Sequence, residues 1–453
     1  MKLKNDAPVT LALLGAGTRG EFDLGYFMEK LRKKIRYTAV AETNPLRRET
    51  FVKRFKIPEK NVFKDWRDLV DKPDVADAVL NCLPSSIHYE STISALNNGY
   101  HVLLEKPMAH NPKECIKLVK EAKKYDRILA VCLENRYNKI YQETQKILNS
   151  GAIGHLYNII CAENIGLSFH FANSYVRGIH RSDSFMMAKG IHDLDLFVWF
   201  TQALPKKTSS FGELSYFKKE NAPEGAPERC ADGCPHSKNC KFNALRLYYE
   251  PGQPQIPISL ILKSQTLRSF IDYFTNPRFR TLASVIVSDI KKPNILKALK
   301  EGSYGKCVFH SNNSAIDHQI TNITFENDIT CTFALNSFSL VWERKLDLHG
   351  VEGEIYTKDF TGELEVRKYN PASVKKQKIR YSGLHHGGGD EFMLLDFARA
   401  VKSGTDEGLM IKAENCLEAH LLGFAAEESR LIGKIIDFSE FKQRAEKLAE
   451  NLY

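Results

Sequence analysis

The spacing of apolar and polar residues changes along this chain, and the change divides it in two. Val9 to Leu14 is a continuous apolar run, Gly15 to Gly20 is a glycine-rich turn, and Glu21 to about Lys33 has helical composition. Tyr37 to Ala41 is a second apolar run, and Pro45 opens a charged helix near Leu46 to Phe55. The unit repeats through Trp66 to Val70, the strand Ala78 to Leu83, the helix Glu90 to Asn98 and the strand His101 to Leu104. A helix over Pro112 to Tyr125 then leads to the strand Ile128 to Leu133. Strands alternating with helices at this pitch predict an α/β domain with a doubly wound parallel sheet, occupying residues 1–135.

Beyond that point the pattern changes. Ala188 to Gln202 reads as a helix rich in Leu, Phe and Trp, whereas Ile320 to Phe325 and Ile329 to Phe338 alternate as strands about the polar turn Glu326-Asn327-Asp328. Antiparallel strands with a few helices predict an α+β domain over 136–453. The charged, Pro- and Gly-containing stretch Lys218 to Pro227 opens a region of mixed signals ending near Gly305, read as an insertion over about 206–306.

The turn Gly15-Ala16-Gly17-Thr18-Arg19-Gly20 fits G-x-G-x-x-G between a strand and a helix, and Glu42 follows Gly20 by 22 residues at the end of the second strand. The first glycine allows the tight turn, the second admits a pyrophosphate close to the backbone, and the third packs helix on sheet. The helix N-terminus stabilises the phosphate charge. This is the pattern of a Rossmann dinucleotide site, with Gly15, Gly17, Thr18, Arg19 and Gly20 around the phosphates. Glu42 would accept hydrogen bonds from the adenosine ribose and repel a 2′-phosphate, which favours NAD. Arg47 and Arg48 keep NADP open.

Glu105-Lys106-Pro107 ends the strand His101 to Leu104 at the carboxyl edge of the sheet, where ligands bind in open parallel sheets. With the glycine turn and Asn81-Cys82-Leu83-Pro84-Ser85-Ser86-Ile87-His88, this resembles the Gfo/Idh/MocA family of nicotinamide-dependent oxidoreductases. The resemblance continues through Asn135-Arg136-Tyr137 and Gly190-Ile191-His192-Asp193-Leu194-Asp195, spanning about 9–202 and again about 305–433. It extends to a longer branch with a Cys-containing insertion like Arg229-Cys230 to Cys240, then Tyr304-Gly305-Lys306-Cys307-Val308 and His386-Gly387-Gly388-Gly389-Asp390. It implies a second domain built on an open, mainly antiparallel sheet, with substrate between that sheet and the nicotinamide. Lys106 would then touch the reacting hydroxyl, while Pro84, His88, Glu105 and Pro107 border the cofactor. Pro107 follows either a cis peptide or an ordinary trans Lys-Pro bond.

His192 opens a helix on which Lys189 lies three residues back and Asp195 three ahead, so the three are expected on one face. A neutral imidazole can take the proton of an alcohol as its hydride leaves. A neighbouring ammonium helps keep it neutral. The commoner family pattern places an acid four residues before this histidine; here that residue is Ala188, and Lys189 becomes the candidate for substrate binding or shared proton transfer. His386 and Asp390 precede the helix Glu391 to Val401, where three glycines allow close backbone approach and free amides face a polyhydroxylated or anionic ligand. Asp390 also fits an N-cap. Arg136, by forked hydrogen bonding, and Tyr137 are further substrate candidates, with a domain-junction contact as the alternative.

Cys230, Cys234 and Cys240 are spaced C-x3-C-x5-C in a polar loop, and Cys307 lies where the chain returns to the second domain. Thiolates so placed suit a zinc ion, with Cys307 or His236 as fourth ligand; an iron-sulfur cluster and free thiols are the alternatives. Cys82, Cys115, Cys132, Cys161, Cys331 and Cys416 fall in apolar patterns and read as core.

Composition narrows the class without changing it. The 453 residues carry a net charge of +9, with 43% hydrophobic and 26% charged residues, which excludes fibrous and disordered classes. No apolar run approaches the roughly 18 residues of a membrane span. The beginning of the chain lacks a secretory signal, so a cytoplasmic location is expected. Dispersed lysines show no nucleic-acid stripe. The expected function is NAD(P)-dependent hydride transfer to or from a secondary alcohol of a sugar, sugar derivative or cyclitol, by a homodimer or homotetramer. The alternatives are an NAD-dependent glycosidase acting by transient oxidation and elimination, and a non-catalytic NAD-binding regulator.

Overall fold

Strands apolar on both faces need cover on both, and the first half of the chain provides it. The computed structural model describes residues 7–166, 176–177, 184–250, 283–287, 291–380 and 386–451. Strands β1 (Val9–Leu14), β2 (Ile35–Ala41), β3 (Val62–Phe63), β4 (Ala78–Asn81), β5 (His101–Leu104) and β6 (Leu129–Val131) form one parallel sheet in the order β3-β2-β1-β4-β5-β6. Helices α1 (Leu24–Lys30), α2 (Pro45–Phe55), α3 (Trp66–Val70), α4 (His88–Asn97) and α5 (Pro112–Lys124) connect the strands. The strand order reverses between β1 and β4, which opens a crevice at their carboxyl ends. Helix starts follow local chemistry: Asn44 and Asn111 cap α2 and α5, each before a proline in the first turn.

After α6 (Lys139–Asn149), β7 (Leu156–Gly166) enters a nine-stranded sheet. Its other strands are β8 (Pro205–Glu213), β9 (His318–Phe325), β10 (Thr330–Ser339), β11 (Glu343–Gly350), β12 (Gly353–Lys358), β13 (Glu363–Lys368), β14 (Ser373–Lys378) and β15 (Ile436–Asp437), in the order β14-β13-β12-β11-β7-β10-β9-β8-β15. The sheet is antiparallel except for the β7–β10 pair. One face is a core of Ile159, Cys161, Ile323, Cys331, Phe333, Leu335, Leu346 and Leu348. Helix α7 (Ile191–Thr201) packs on it, with Phe197 edge-on to Phe333 at 5.5 Å. Each such buried side chain contributes about 1.5–3 kcal/mol. The other face exposes Phe211, Ile320, Ile160 and Phe338.

Helix α8 (Lys292–Glu301) belongs to the inserted region, and α9 (Gly389–Ser403), α10 (Ala413–Ile432) and α11 (Phe438–Glu450) close the chain. Helices α10 and α11 reach back onto α5, so the C-terminal segment packs against the parallel-sheet domain. Two sequence expectations change. Strand β8, expected inside an insertion beginning near 206, pairs with β9 along its length and is part of the sheet. The helix expected from Ala188 is a wide turn over Met186–Gly190 followed by α7; Gly190 lies so close to Met186 and Phe333 that a Cβ would overlap both. Among the described residues, no helix is long and apolar enough to cross a membrane.

Candidate active site

The dinucleotide turn forms at the end of β1. Gly15 has φ +86°, and a Cβ there would lie 2.8 Å from the Cys82 carbonyl oxygen, so only glycine fits against the end of β4. Gly20 packs against Leu13 and the Gly15 carbonyl, and Gly17, by contrast, faces open space. Thr18–Asp23 continues into α1 as one helical segment whose first amides lie at this opening. A pyrophosphate therefore has both the backbone approach and the free volume it needs. Glu42, at the end of β2, is 7% exposed and accepts from the Asn44 amide at 2.8 Å. Arg48 donates to the Glu42 and Thr43 carbonyls, while Arg47 is half-buried.

The Lys106–Pro107 peptide is cis. The Lys106 ammonium crosses to the second domain and donates to the Ala188 carbonyl at 2.6 Å, in the turn that leads into α7. His192 is 4% exposed, and its Nδ1 lies 3.8 Å from a Glu134 carboxylate oxygen. The His88 ring spans the Leu83 and Pro107 carbonyls at 2.9 and 2.8 Å and ties the β4 turn to the Pro107 turn. That turn is also held from the far end of the chain. His420 on α10 donates from Nδ1 to the Cys416 carbonyl and accepts the Met108 amide at Nε2, 3.1 Å away. Burial, with the Lys106 charge nearby, lowers its pKa to about 4, which fits the neutral tautomer those bonds require.

Lys189, His192 and Asp195 do not share one face as the helical spacing suggested, because the wide turn before α7 rotates Lys189 away. Its ammonium lies 3.2 Å from Glu163 of β7 and 4.5 Å from the Trp342 ring centroid, and the Trp342 indole donates to Glu163. Asp195 points to Arg136 and takes both arms of its guanidinium at 2.7 Å. Arg136 also donates to the Met410 and Asn415 carbonyls, and Tyr137 donates to Asp396 on α9. Arg136, Tyr137 and Asp195 thus lock the domain junction, the alternative foreseen for the first two. Asp390 is fully buried on Arg19 rather than turned outward, and it forms no side-chain cap on α9. The glycines before it serve the protein's own packing: a Cβ on Gly389 would lie 2.4 Å from the Glu134 carbonyl, and one on Gly387 would overlap Asn138. The backbone of His386 lies in this turn; its side chain is outside the described residues.

Residues 9–133 match the family model described as an oxidoreductase family with an NAD-binding Rossmann fold, named for Gfo, Idh and MocA. The first domain is thus similar to the NAD-binding domain of the Gfo/Idh/MocA oxidoreductases. Among curated relatives, inositol 2-dehydrogenase of Acidothermus cellulolyticus is 28% identical over 200 residues, covering 44% of this chain and 54% of that protein. D-glucoside 3-dehydrogenase of Escherichia coli is 27% identical over 154 residues, covering 33% and 42%. The matched segments thus span about half the length of these relatives. Among solved structures, levoglucosan dehydrogenase in complex with NADH and levoglucosan has a TM-score of 0.67 at 16% identity, covering 95% of this chain and 99% of that one. That likeness extends the shared fold beyond the matched first domain.

The site contains two carboxylates not singled out from sequence, Glu134 and Glu163. Glu163 left a readable signal: it occupies an inward position in a strand whose other inward residues are Ile159, Cys161 and Ile165. It meets Arg344 of β11 at 3.0 Å, and the same guanidinium takes Asp193 at 2.7 Å and Asp359 at 3.6 Å. Burial, with Glu163 adding to it against Arg344, pushes Asp193 up to about 7 and Asp359 up to about 6.

The expectation of zinc is not met. Cys230, Cys234, Cys240 and Cys307 do line one small cavity with His236, but among the described residues no group of three or more His, Cys, Asp or Glu side chains is arranged to hold a metal. Arg177, 1% exposed, reaches into the cluster, donating to the Cys230 sulfur at 3.5 Å and to the Phe242 and Lys306 carbonyls. A fixed cation there disfavours a second. The ends of the inserted region are clipped instead by backbone pairing, Cys230 N–H to Gly305 and Cys307 N–H to Glu228.

Proposed function

We propose that the protein is an NAD-dependent dehydrogenase of a secondary alcohol on a sugar, sugar derivative or cyclitol. The observation that carries this reading is the crossing of Lys106 from the end of β5 to the Ala188 carbonyl, which brings an ammonium from the dinucleotide domain to the start of the helix bearing His192. Bound NAD, held by Gly15, Gly17 and Gly20 at its phosphates and by Glu42 at its ribose, supplies the hydride acceptor.

The chain's own residues manage the rest. The Lys106 ammonium polarises the reacting oxygen and stabilises negative charge on it, His192 accepts the hydroxyl proton, and Glu134 beside Nδ1 favours the imidazolium that results. Reduction runs the same transfers backward. The names of the relatives, inositol 2-dehydrogenase and D-glucoside 3-dehydrogenase, support a cyclic polyol as substrate. Glu42 supports NAD over NADP, and the anchoring of Arg48 on backbone carbonyls agrees with it. Phe211, Ile320, Ile160 and Phe338 on the open sheet face support assembly as a homodimer or homotetramer.

A panel of sugars and cyclitols with excess NAD tests the reading. At least one compound should give stoichiometric NADH. Aglycone release from glycosides with no accumulation of NADH, and with solvent deuterium entering beside the oxidised carbon, would replace the dehydrogenase by the glycosidase.

A further inference from the structure

Arg19 lies inside the dinucleotide turn, between Thr18 and Gly20, yet its guanidinium faces three carboxylates from three other elements. Its Nε donates to Glu105 at 2.6 Å, its two terminal nitrogens donate to Asp390 at 2.6 and 3.1 Å, and one of them lies 3.7 Å from Glu134. Glu105 directly follows β5, Glu134 follows β6, and Asp390 stands in the first turn of α9. A guanidinium surrounded this way is already neutralised, and a pyrophosphate approaching it would meet the field of the carboxylates.

The far side of each acid leads to the proposed chemistry. The other oxygen of Glu105 accepts the Lys106 amide at 3.1 Å. The other oxygen of Glu134 is the one 3.8 Å from His192 Nδ1. Asp390 anchors the start of α9, directly after the glycine turn that begins at His386. Planar, forked hydrogen bonding is what lets one side chain hold these groups in register, a geometry an ammonium does not reproduce.

We infer that Arg19 is a positioning residue of the redox reaction, fixing Lys106 through Glu105 and His192 through Glu134, and is not a phosphate ligand of the dinucleotide. The inference rests on the proposed roles of Lys106 and His192, and it assigns to Arg19 work on the substrate side of the turn.

The test uses the full-length protein with Arg19→Gln, measuring NAD affinity by calorimetry and the titration of His192 by NMR on histidine-labelled protein, assigned with His192→Gln. His192 faces Glu134, with Arg19 behind that carboxylate. Around α7 stand Lys106 on the Ala188 carbonyl, Lys189 with Glu163, Arg344 of β11 paired with Asp193 of α7 itself, and His420 of α10. Loss of the Arg19 charge removes a positive charge from beside Glu134, so the His192 midpoint should rise by about half a unit or more while the NAD dissociation constant changes less than about threefold. With a substrate from the panel, kcat should fall by about 10²-fold and NAD affinity should not follow it.

Asp390→Asn provides a second variant with the opposite sign: Arg19 then acts more strongly on Glu134, and the His192 midpoint falls. NAD affinity dropping tenfold or more with the His192 titration unmoved would make Arg19 a phosphate ligand and overturn the inference. Neither readout moving would overturn it as well. A wild type that oxidises no polyol would sink the dehydrogenase reading alone, since the affinity and titration measurements need no turnover.

Discussion

Arg19 and Arg344 each gather three carboxylates near the start of α7, and the two clusters differ in how they hold protons. At Arg19, burial would raise Glu105, but the charges of Arg19 and then Lys106 outweigh it and hold that carboxyl below its ordinary range. Around Arg344 the balance reverses: burial drives Asp193 and Asp359 upward, Glu163 adds to the effect, and the single guanidinium does not compensate. The Arg19 side chain keeps 20% exposure against 7% for Arg344. Two clusters of like composition therefore behave as a charge-fixing clamp near solvent and a proton-retaining one beneath the sheet.

The largest expected effect comes from breaking the deeper cluster. Arg344→Met leaves Glu163, Asp193 and Asp359 buried without their guanidinium, and unfolding in denaturant should show a loss of about 3–5 kcal/mol. Arg19→Gln, nearer to solvent, should lose clearly less; equal losses would erase the distinction between the clusters.

Next in size is the split between the two lysines. Lys106→Ala should lower turnover by about 10²-fold or more with NAD binding nearly unchanged. Lys189→Met should lower it less than about tenfold, because its ammonium is engaged by Glu163 and Trp342. Steady-state kinetics giving Lys189 the larger effect would move the proton chemistry to the Arg344 side.

The pH dependence of stability follows from opposed shifts. Asp193 and Asp359 have folded pKa values raised from 3.8, so their stabilising contribution is complete at low pH and is lost as pH rises toward about 7 and 6 respectively. His420 and His101, lowered by burial to about 4, contribute fully above 6.5 and lose that contribution as pH falls toward 4. Melting temperatures between those limits should therefore rise more steeply with pH in Asp193→Asn than in the wild type, and less steeply in His420→Gln. The smallest effect lies outside both clusters: Glu42→Ala should improve NADP relative to NAD in binding titrations by removing the carboxylate at the ribose. A wild type that already prefers NADP would overturn the NAD reading.

Much of the cofactor half was legible in the chain. Strand β5 has the bounds its apolar run gave, His101–Leu104, and the glycine turn stands where strand and helix composition placed it. Local pattern sufficed because each feature depends on neighbouring residues. Glu163 and Glu134 are different. Their partners, Arg344 and Arg19, arrive from β11 and from the first turn of the chain, and nothing near residues 134 or 163 announces them. Arg136 and Asp195 misled for the same reason, since each looked available until the fold placed them against one another. The cysteine spacing was equally visible, but the arginine filling its centre lies more than 50 residues earlier.

The bond between Arg19 and Asp390 joins positions 371 apart in sequence, and that between Met108 and His420 joins positions 312 apart. As the chain leaves the ribosome, its first domain can pair all six strands while the residues that complete the proposed reacting centre are still being made. Chemical competence therefore arrives late, with α9 and α10, and closes very long loops as it does so. For recombination with similar proteins, the consequence is that a swapped first domain requires a C-terminal half carrying the matching aspartate and histidine. Without them a chimera can fold and hold its nucleotide while its lysine and histidine remain out of register.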